Sequence, residues 1–121
     1  MLLDTNILIG YINGDIAIRD AVSAWRAAEV RLIISSITLG EFLSHAALTD
    51  VKIRDLELFA ATFISIPFDD ELAKRAARLK RKYRFALTDS GILATAQLYG
   101  VSVVTRDAQL HKVTEVTFAH I

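Results

Sequence analysis

Apolar residues along the chain fall into two alternating patterns. Short β-type runs of Ile, Val, Leu and Phe occur at Met1–Leu3, Arg31–Ser35, Phe63–Ile66, Val101–Thr105 and Glu115–Phe118, and most are too short to be helices. Between them lie stretches with helical periodicity: Asn6–Asn13, Asp15–Glu29, Thr38–Leu48, Lys52–Thr62, Asp69–Tyr83, Asp89–Tyr99 and a short turn from Asp107. The strand runs are apolar throughout, not at every second residue. That pattern predicts a mostly parallel sheet covered on both faces, the α/β class. No repeat, low-complexity tract or Pro/Gly-rich linker interrupts the alternation, and the only proline, Pro67, follows the third strand run. A chain of 121 residues organised in this way is expected to form a single domain over 1–121.

Composition narrows the class. Apolar residues make up 53% of the chain and charged residues 23%, with a mean hydropathy of +0.38, which excludes disorder. The longest uncharged stretch, Ser90 to Thr105, has only 16 residues, shorter than the roughly 20 a spanning helix needs, so no membrane is expected. Met1-Leu2-Leu3-Asp4 lacks the basic start of a signal peptide, and there is no cysteine, so the expected location is cytoplasmic.

Three apolar segments each carry one acid. Asp4 is the only charged residue from Met1 to Gly14, Glu41 from Leu32 to Thr49, and Asp89 from Phe85 to Thr105. An ionised carboxylate in an apolar setting needs a cation or several donors, and a bound metal supplies one compensation. Helix capping supplies another. Asp4 opens a helix, Thr38-Leu39-Gly40-Glu41 matches a capping box, and Asp89 lies in a first turn behind Thr88. Position separates the two readings. In an open parallel sheet the binding crevice lies at the carboxyl ends of the strands, where Asp4 and Asp107 end strands and Glu41 and Asp89 begin helices, so all four acids can converge. Asp89 also shares a helix face with Ile92, Leu93 and Ala96, which turns it toward packed structure. Four carboxylates without cysteine or paired histidine form a hard oxygen site suited to Mg²⁺ or Mn²⁺. His45, His111 and His120 are scattered and read as ordinary histidines. No Gly-rich phosphate loop and no GxSxG elbow is present.

The segments Leu3-Asp4-Thr5-Asn6-Ile7-Leu8-Ile9, Ile34-Ser35-Ser36-Ile37-Thr38-Leu39-Gly40-Glu41-Phe42, Leu87-Thr88-Asp89-Ser90-Gly91-Ile92-Leu93-Ala94-Thr95-Ala96 and Val104-Thr105-Arg106-Asp107 together resemble the four motifs of the PIN-domain ribonucleases, most closely the VapC-type toxins of type II toxin–antitoxin pairs. The third motif reads Thr-Asp-Ser where Pro-Asp-Ala is more usual. The resemblance implies a three-layer α/β/α sandwich, a divalent metal held by Asp4, Glu41, Asp89 and Asp107, and endonucleolytic hydrolysis of RNA leaving a 5′-phosphate and a 3′-hydroxyl. It makes Asp4 and Asp89 the principal ligands, with Glu41 and Asp107 completing the set and Asn6, Ser36 and Thr105 as supporting polar residues. The partners it implies are RNA and a VapB-like antitoxin. A silent PIN-like binding module is the alternative, and a phospho-acceptor receiver domain fits less well, since it needs adjacent acids after the first strand.

Net charge is zero, yet residues 74–84 hold seven of the 14 basic side chains and no acid. On a helix, Lys74, Arg75, Arg78, Arg81 and Lys82 fall within an arc of about 120°, opposite Leu72, Ala76, Leu79 and Tyr83. Like charges three and four residues apart repel, and no acid is expected to relieve them. This face is therefore read as an RNA-backbone surface. High apolar content and Trp25 on the second helix suggest a homodimer or an antitoxin groove.

Overall fold

The computed structural model describes residues 1–45 and 50–121, with the backbone alone at 50 and 51. Five short strands, β1 (Leu2–Leu3), β2 (Ile33–Ser35), β3 (Ile64–Ile66), β4 (Val103–Val104) and β5 (Phe118–Ala119), form one sheet in the order β3-β2-β1-β4-β5. Every pairing is parallel, a stricter result than the mostly parallel sheet expected. Parallel strands require crossovers, and up to β4 helices supply them: α1 (Thr5–Ile12), α2 (Ile16–Ala27), α3 (Ser36–Leu43), α4 (Asp50–Ala60), α5 (Asp70–Tyr83) and α6 (Leu87–Tyr99), while β4 and β5 are joined through a short 3-10 turn.

The strands alternate between the two covered faces. Leu2, Ile33 and Val103 pack with Leu72, Ala76 and Leu79 of α5 and Ile92, Leu93 and Ala96 of α6. Leu3, Ile34 and Val104 pack on the opposite side with Ile7 and Leu8 of α1, Ile18 and Val22 of α2, and Phe42 of α3. The result is a three-layer α/β/α sandwich. Trp25 is half-buried against the second of these faces, which accounts for part of the apolar content assigned above to a partner.

Helix ends follow their caps. Asp15 Oδ1 accepts from the Ile18 N–H, Ser35 Oγ from Ile37 and Asp69 Oδ1 from Leu72. The Ser35 cap starts α3 at Ser36, so the Thr38/Glu41 capping box is overturned: both residues lie inside the helix. That helix stops at Leu43, before the Leu48 expected, and 46–48 of that expectation lie outside the described residues. The expected strand Glu115–Phe118 is shifted to Phe118–Ala119, and the turn from Asp107 becomes a 3-10 turn over Leu110–Lys112. Among the described residues no helix is long and apolar enough to cross a membrane.

The sheet order places a switch point between β1 and β4. The chain moves outward from β1 to β2 and β3 on one side, then returns to β4 and β5 on the other. The loops after β1 and β4 diverge there and leave a crevice at the carboxyl edge.

Candidate metal centre

Asp4 is the first residue after β1 and the N-cap of α1. It is 5% exposed, and both carboxylate oxygens are engaged. Oδ1 accepts from the Thr5 N–H at 2.7 Å and Oδ2 from the Thr105 hydroxyl at 2.8 Å. Thr105 follows β4, so this bond ties the two sides of the crevice together. Burial pushes the Asp4 pKa above the ordinary carboxylate range; the bonds from Thr105 and Thr5 oppose this, and the charges of Glu41 and Asp107 add to it.

Asp89 enters from α6. A helix that leads into a parallel strand begins at the carboxyl edge, which brings the first turn of α6 to the crevice. Gly91 directly follows that turn, and a Cβ there would fall 2.5 Å from Ile37 Cδ1 and 3.0 Å from Phe68 Cε2. Its missing side chain lets α6 approach α3 closely. The N-cap of α6 is Ala86, and Asp89 accepts no hydrogen bond from the described residues, so capping does not explain it. Burial raises its pKa most, followed by repulsion from Asp4, Asp107 and Glu41.

Glu41 projects from the second turn of α3, where its Oε1 accepts from the Thr5 hydroxyl at 2.8 Å. Asp107 stands exposed beyond β4 and accepts from the Gln109 N–H at 3.0 Å. Asp4, Thr5, Asn6, Glu41, His45 and Asp89 line a common cleft of about 280 Å³, with Asp107 outside its lining. Of the other polar residues singled out, Thr105 holds Asp4 and Asn6 is exposed on the cleft wall. Ser36 Oγ accepts from the Phe68 N–H and makes no hydrogen bond to an acid. Sequence reasoning missed Thr5, although a hydroxyl directly after a candidate ligand was the available signal.

No cation among the described residues pairs with any of the four acids. Ion pairs among the described residues lie elsewhere: Arg75–Glu71 at 3.6 Å, Lys82–Glu115 at 2.8 Å and Arg106–Asp15 at 2.5 Å. Arg106, beside Asp107, is turned away to Asp15. As they stand, no three acid, histidine or cysteine side chains among the described residues are grouped closely enough to hold a metal ion. The chemistry of the donors nevertheless suits a hard divalent cation: three acids line the cleft with a fourth outside it, two of the four are wholly or partly buried, and among the described residues no thiolate joins them and no cation neutralises them.

The PIN domain family model matches residues 1–116. The chain belongs to the PIN domain family. This PIN domain is similar to a chain of a toxin–antitoxin complex from Klebsiella pneumoniae, with 30% identity, TM-score 0.84, and 99% of this chain and 98% of that one covered. It is also similar to a chain of FitAcB from Neisseria gonorrhoeae, at 28% identity, TM-score 0.69 and coverage of 98% and 96%. VapBC2 from Rickettsia felis, solved with a promoter DNA fragment, shares the fold at 19% identity, TM-score 0.82 and coverage of 98% and 96%. Among curated protein sequences there is no significant match. The four motifs read as a PIN chain of the VapC type agree with these likenesses, and the receiver-domain alternative falls with them.

The cationic face of α5 needs one correction. Leu72, Ala76 and Leu79 are buried as expected, but acids do relieve the opposite side. Glu71 pairs with Arg75 one turn away, and Glu115, remote in sequence, accepts from both Lys82 at 2.8 Å and the Tyr83 hydroxyl at 2.7 Å. Lys74, Arg78 and Arg81 form no ion pair among the described residues. Lys80, Arg81 and Arg84 line a hollow with Ala77 and Leu87, two residues before Asp89. Lys80 and Arg84 fell outside the predicted arc; Arg84 is the left-handed cap of α5, with φ 61°, which breaks the helical projection used to draw it.

Proposed function

We propose that this PIN domain is a divalent-metal-dependent endoribonuclease and the toxin of a VapBC-type pair, with a VapB-like antitoxin as its partner. It rests on the placement of three carboxylates from three chain segments, Asp4, Glu41 and Asp89, in one cleft at the switch point of the sheet, with no cationic partner among the described residues and with Asp107 near enough to repel Asp4 and Asp89. The toxin reading is supported by likeness to the Klebsiella chain across nearly the full length of both. A homodimer is part of the same proposal.

Asp4 and Asp89 would hold Mg²⁺ or Mn²⁺, with Glu41 and Asp107 completing the set. When bound, the ion stabilises charge on the phosphate and lowers the pKa of an attacking water. The protein's own groups do the positioning. The Thr5 N–H and the Thr105 hydroxyl fix the Asp4 carboxylate, and the Thr5 hydroxyl fixes one oxygen of Glu41, leaving its Oε2 to accept the water's proton. The water oxygen bonds to phosphorus, the bond to the 3′-oxygen breaks, the departing 3′-oxygen takes a proton from solvent while Glu41 returns its own to solvent, and the products carry a 5′-phosphate and a 3′-hydroxyl. Purified protein free of antitoxin should cut single-stranded RNA in Mg²⁺ or Mn²⁺, stop on addition of EDTA, and leave those ends. Intact RNA across all metals tested would favour the silent binding module.

The RNA backbone is assigned to the α5 cations without an acidic partner. Arg78→Gln with Arg81→Gln should raise KM more than it lowers kcat, and flatten the salt dependence of binding by about one unit of log–log slope per lost phosphate contact. Kd measured at several salt concentrations checks this. An unchanged slope would make the face a solvated surface.

A further inference from the structure

Two histidines that stand nine residues apart in sequence meet beside the acidic cleft, which corrects the reading of all three as scattered. The His111 ring stacks on Phe118, with centroids 4.5 Å apart and planes at 14°, and lies 5.6 Å from the His120 ring at 37°. His111 Nε2 is 3.1 Å from the carbonyl oxygen of Thr105, the residue whose hydroxyl donates to Asp4. Thr105, Arg106, Ala108, His111 and His120 line a hollow of about 320 Å³. Arg106 is held at its rim by two hydrogen bonds to Asp15, at 2.5 and 3.3 Å.

Core closure accounts for His111, which is half-buried and packed flat on Phe118. It does not account for His120, which is exposed, tilted against its neighbour and without a hydrogen bond to the described residues. An open ring face and a fixed guanidinium plane are the surfaces on which unpaired nucleobases stack. Thr105 forms a wall of this hollow and also touches the metal-holding carboxylate. A base flanking a phosphate seated at Asp4 is therefore within reach of the hollow.

We propose that the hollow between Arg106, His111 and His120 is a base-stacking subsite that holds one unpaired nucleobase of the RNA beside the scissile phosphate, a proposal that rests on the nuclease reading above. His120 supplies the stacking face, His111 and Phe118 back it, and Arg106 closes the rim.

The test uses an RNA hexamer carrying 2-aminopurine, titrated into the full chain bearing Asp89→Asn so that it is not consumed. Stacking should quench the fluorescence. Adding His120→Ala should abolish the quench and weaken binding about tenfold, with the salt slope unchanged. His120→Phe should restore both. His120 is exposed, so these variants are expected to fold, and circular dichroism checks that. Equal affinity and quench in the His120→Ala protein, or no binding of the hexamer at all, would overturn the subsite. So would failure of Phe to rescue together with a slope about one unit shallower, which would mark a phosphate contact by charge. Cleavage of the same hexamer by the wild type in Mg²⁺ tests the nuclease reading apart from this. Cleavage that is indifferent to His120 removes the subsite and leaves the nuclease. His120-dependent binding without cleavage leaves the subsite on a silent RNA-binding module.

Discussion

Asp89→Asn is expected to lower RNA cleavage by more than about a hundredfold while raising the melting temperature of the metal-free protein. Loss of a residue that merely supports a metal ligand costs roughly ten- to a hundredfold, so loss of a ligand charge should cost at least as much. The stability effect has the opposite sign because Asp89 titrates above the ordinary aspartate range in the fold, through burial and through repulsion from Asp4, Asp107 and Glu41. A carboxyl whose folded pKa is raised binds its proton more readily when folded, so the destabilisation is absent below the unfolded value and complete above the folded one. The stabilisation of the Asn variant should therefore be full at pH 7 to 8 and fade as pH falls toward about 4. Single-turnover rates and calorimetric scans at several pH values measure both effects. A large fall in the metal-free melting temperature would mean that Asp89 serves the helix instead. Asp4→Asn should lose cleavage equally, while its side-chain oxygen still accepts from the Thr5 N–H and its amide faces a Thr105 hydroxyl able to turn and accept.

Leu93→Ala should produce the largest loss of stability of the substitutions considered, about 2–5 kcal/mol. Leu93 is fully buried, one helical turn beyond Asp89, in the layer where α5 and α6 meet the sheet. Truncation there removes transfer energy and leaves a cavity that strands on one side and helices on the other cannot collapse to fill. Against a total stability of roughly 5–15 kcal/mol for a chain of this kind, that is a large share. Leu87→Ala, at a half-exposed position of the same helix, should change stability by no more than about 0.5 kcal/mol. Urea titration checks the pair: the midpoint should fall steeply for Leu93→Ala with an unchanged slope, and barely move for Leu87→Ala.

The order of elements was legible because each run carries one periodicity over its length, and buried parallel strands leave no polar face to confuse it. Element ends were not. Val101–Thr105 contracts to Val103–Val104 because the ladders to β1 and β5 pair only those two residues, and the last strand begins at Phe118 because that is where its ladder with β4 begins, leaving the Thr105 and Glu115 side chains free to serve Asp4 and to join Lys82 and Tyr83. The Thr38/Glu41 box misled because Ser35, buried at the end of β2, caps the helix three residues earlier. Lone carboxylates in apolar segments did mark two acids that the fold desolvates, Asp4 and Asp89, because desolvation is a property of their own surroundings. Pairings between distant segments were invisible to it: Glu115 on Lys82, Arg106 turned to Asp15, and His111 against His120 all depend on which strands are neighbours.

If Asp4, Glu41, Asp89 and Asp107 serve one divalent-metal site, a calorimetric titration of Mn²⁺ into the RNA-free protein will show it. Binding should be saturable and should raise the melting temperature, since only the folded chain assembles the four acids, and affinity should collapse in both Asp4→Asn and Asp89→Asn. The same Mn²⁺ affinity in wild type and both variants would contradict it.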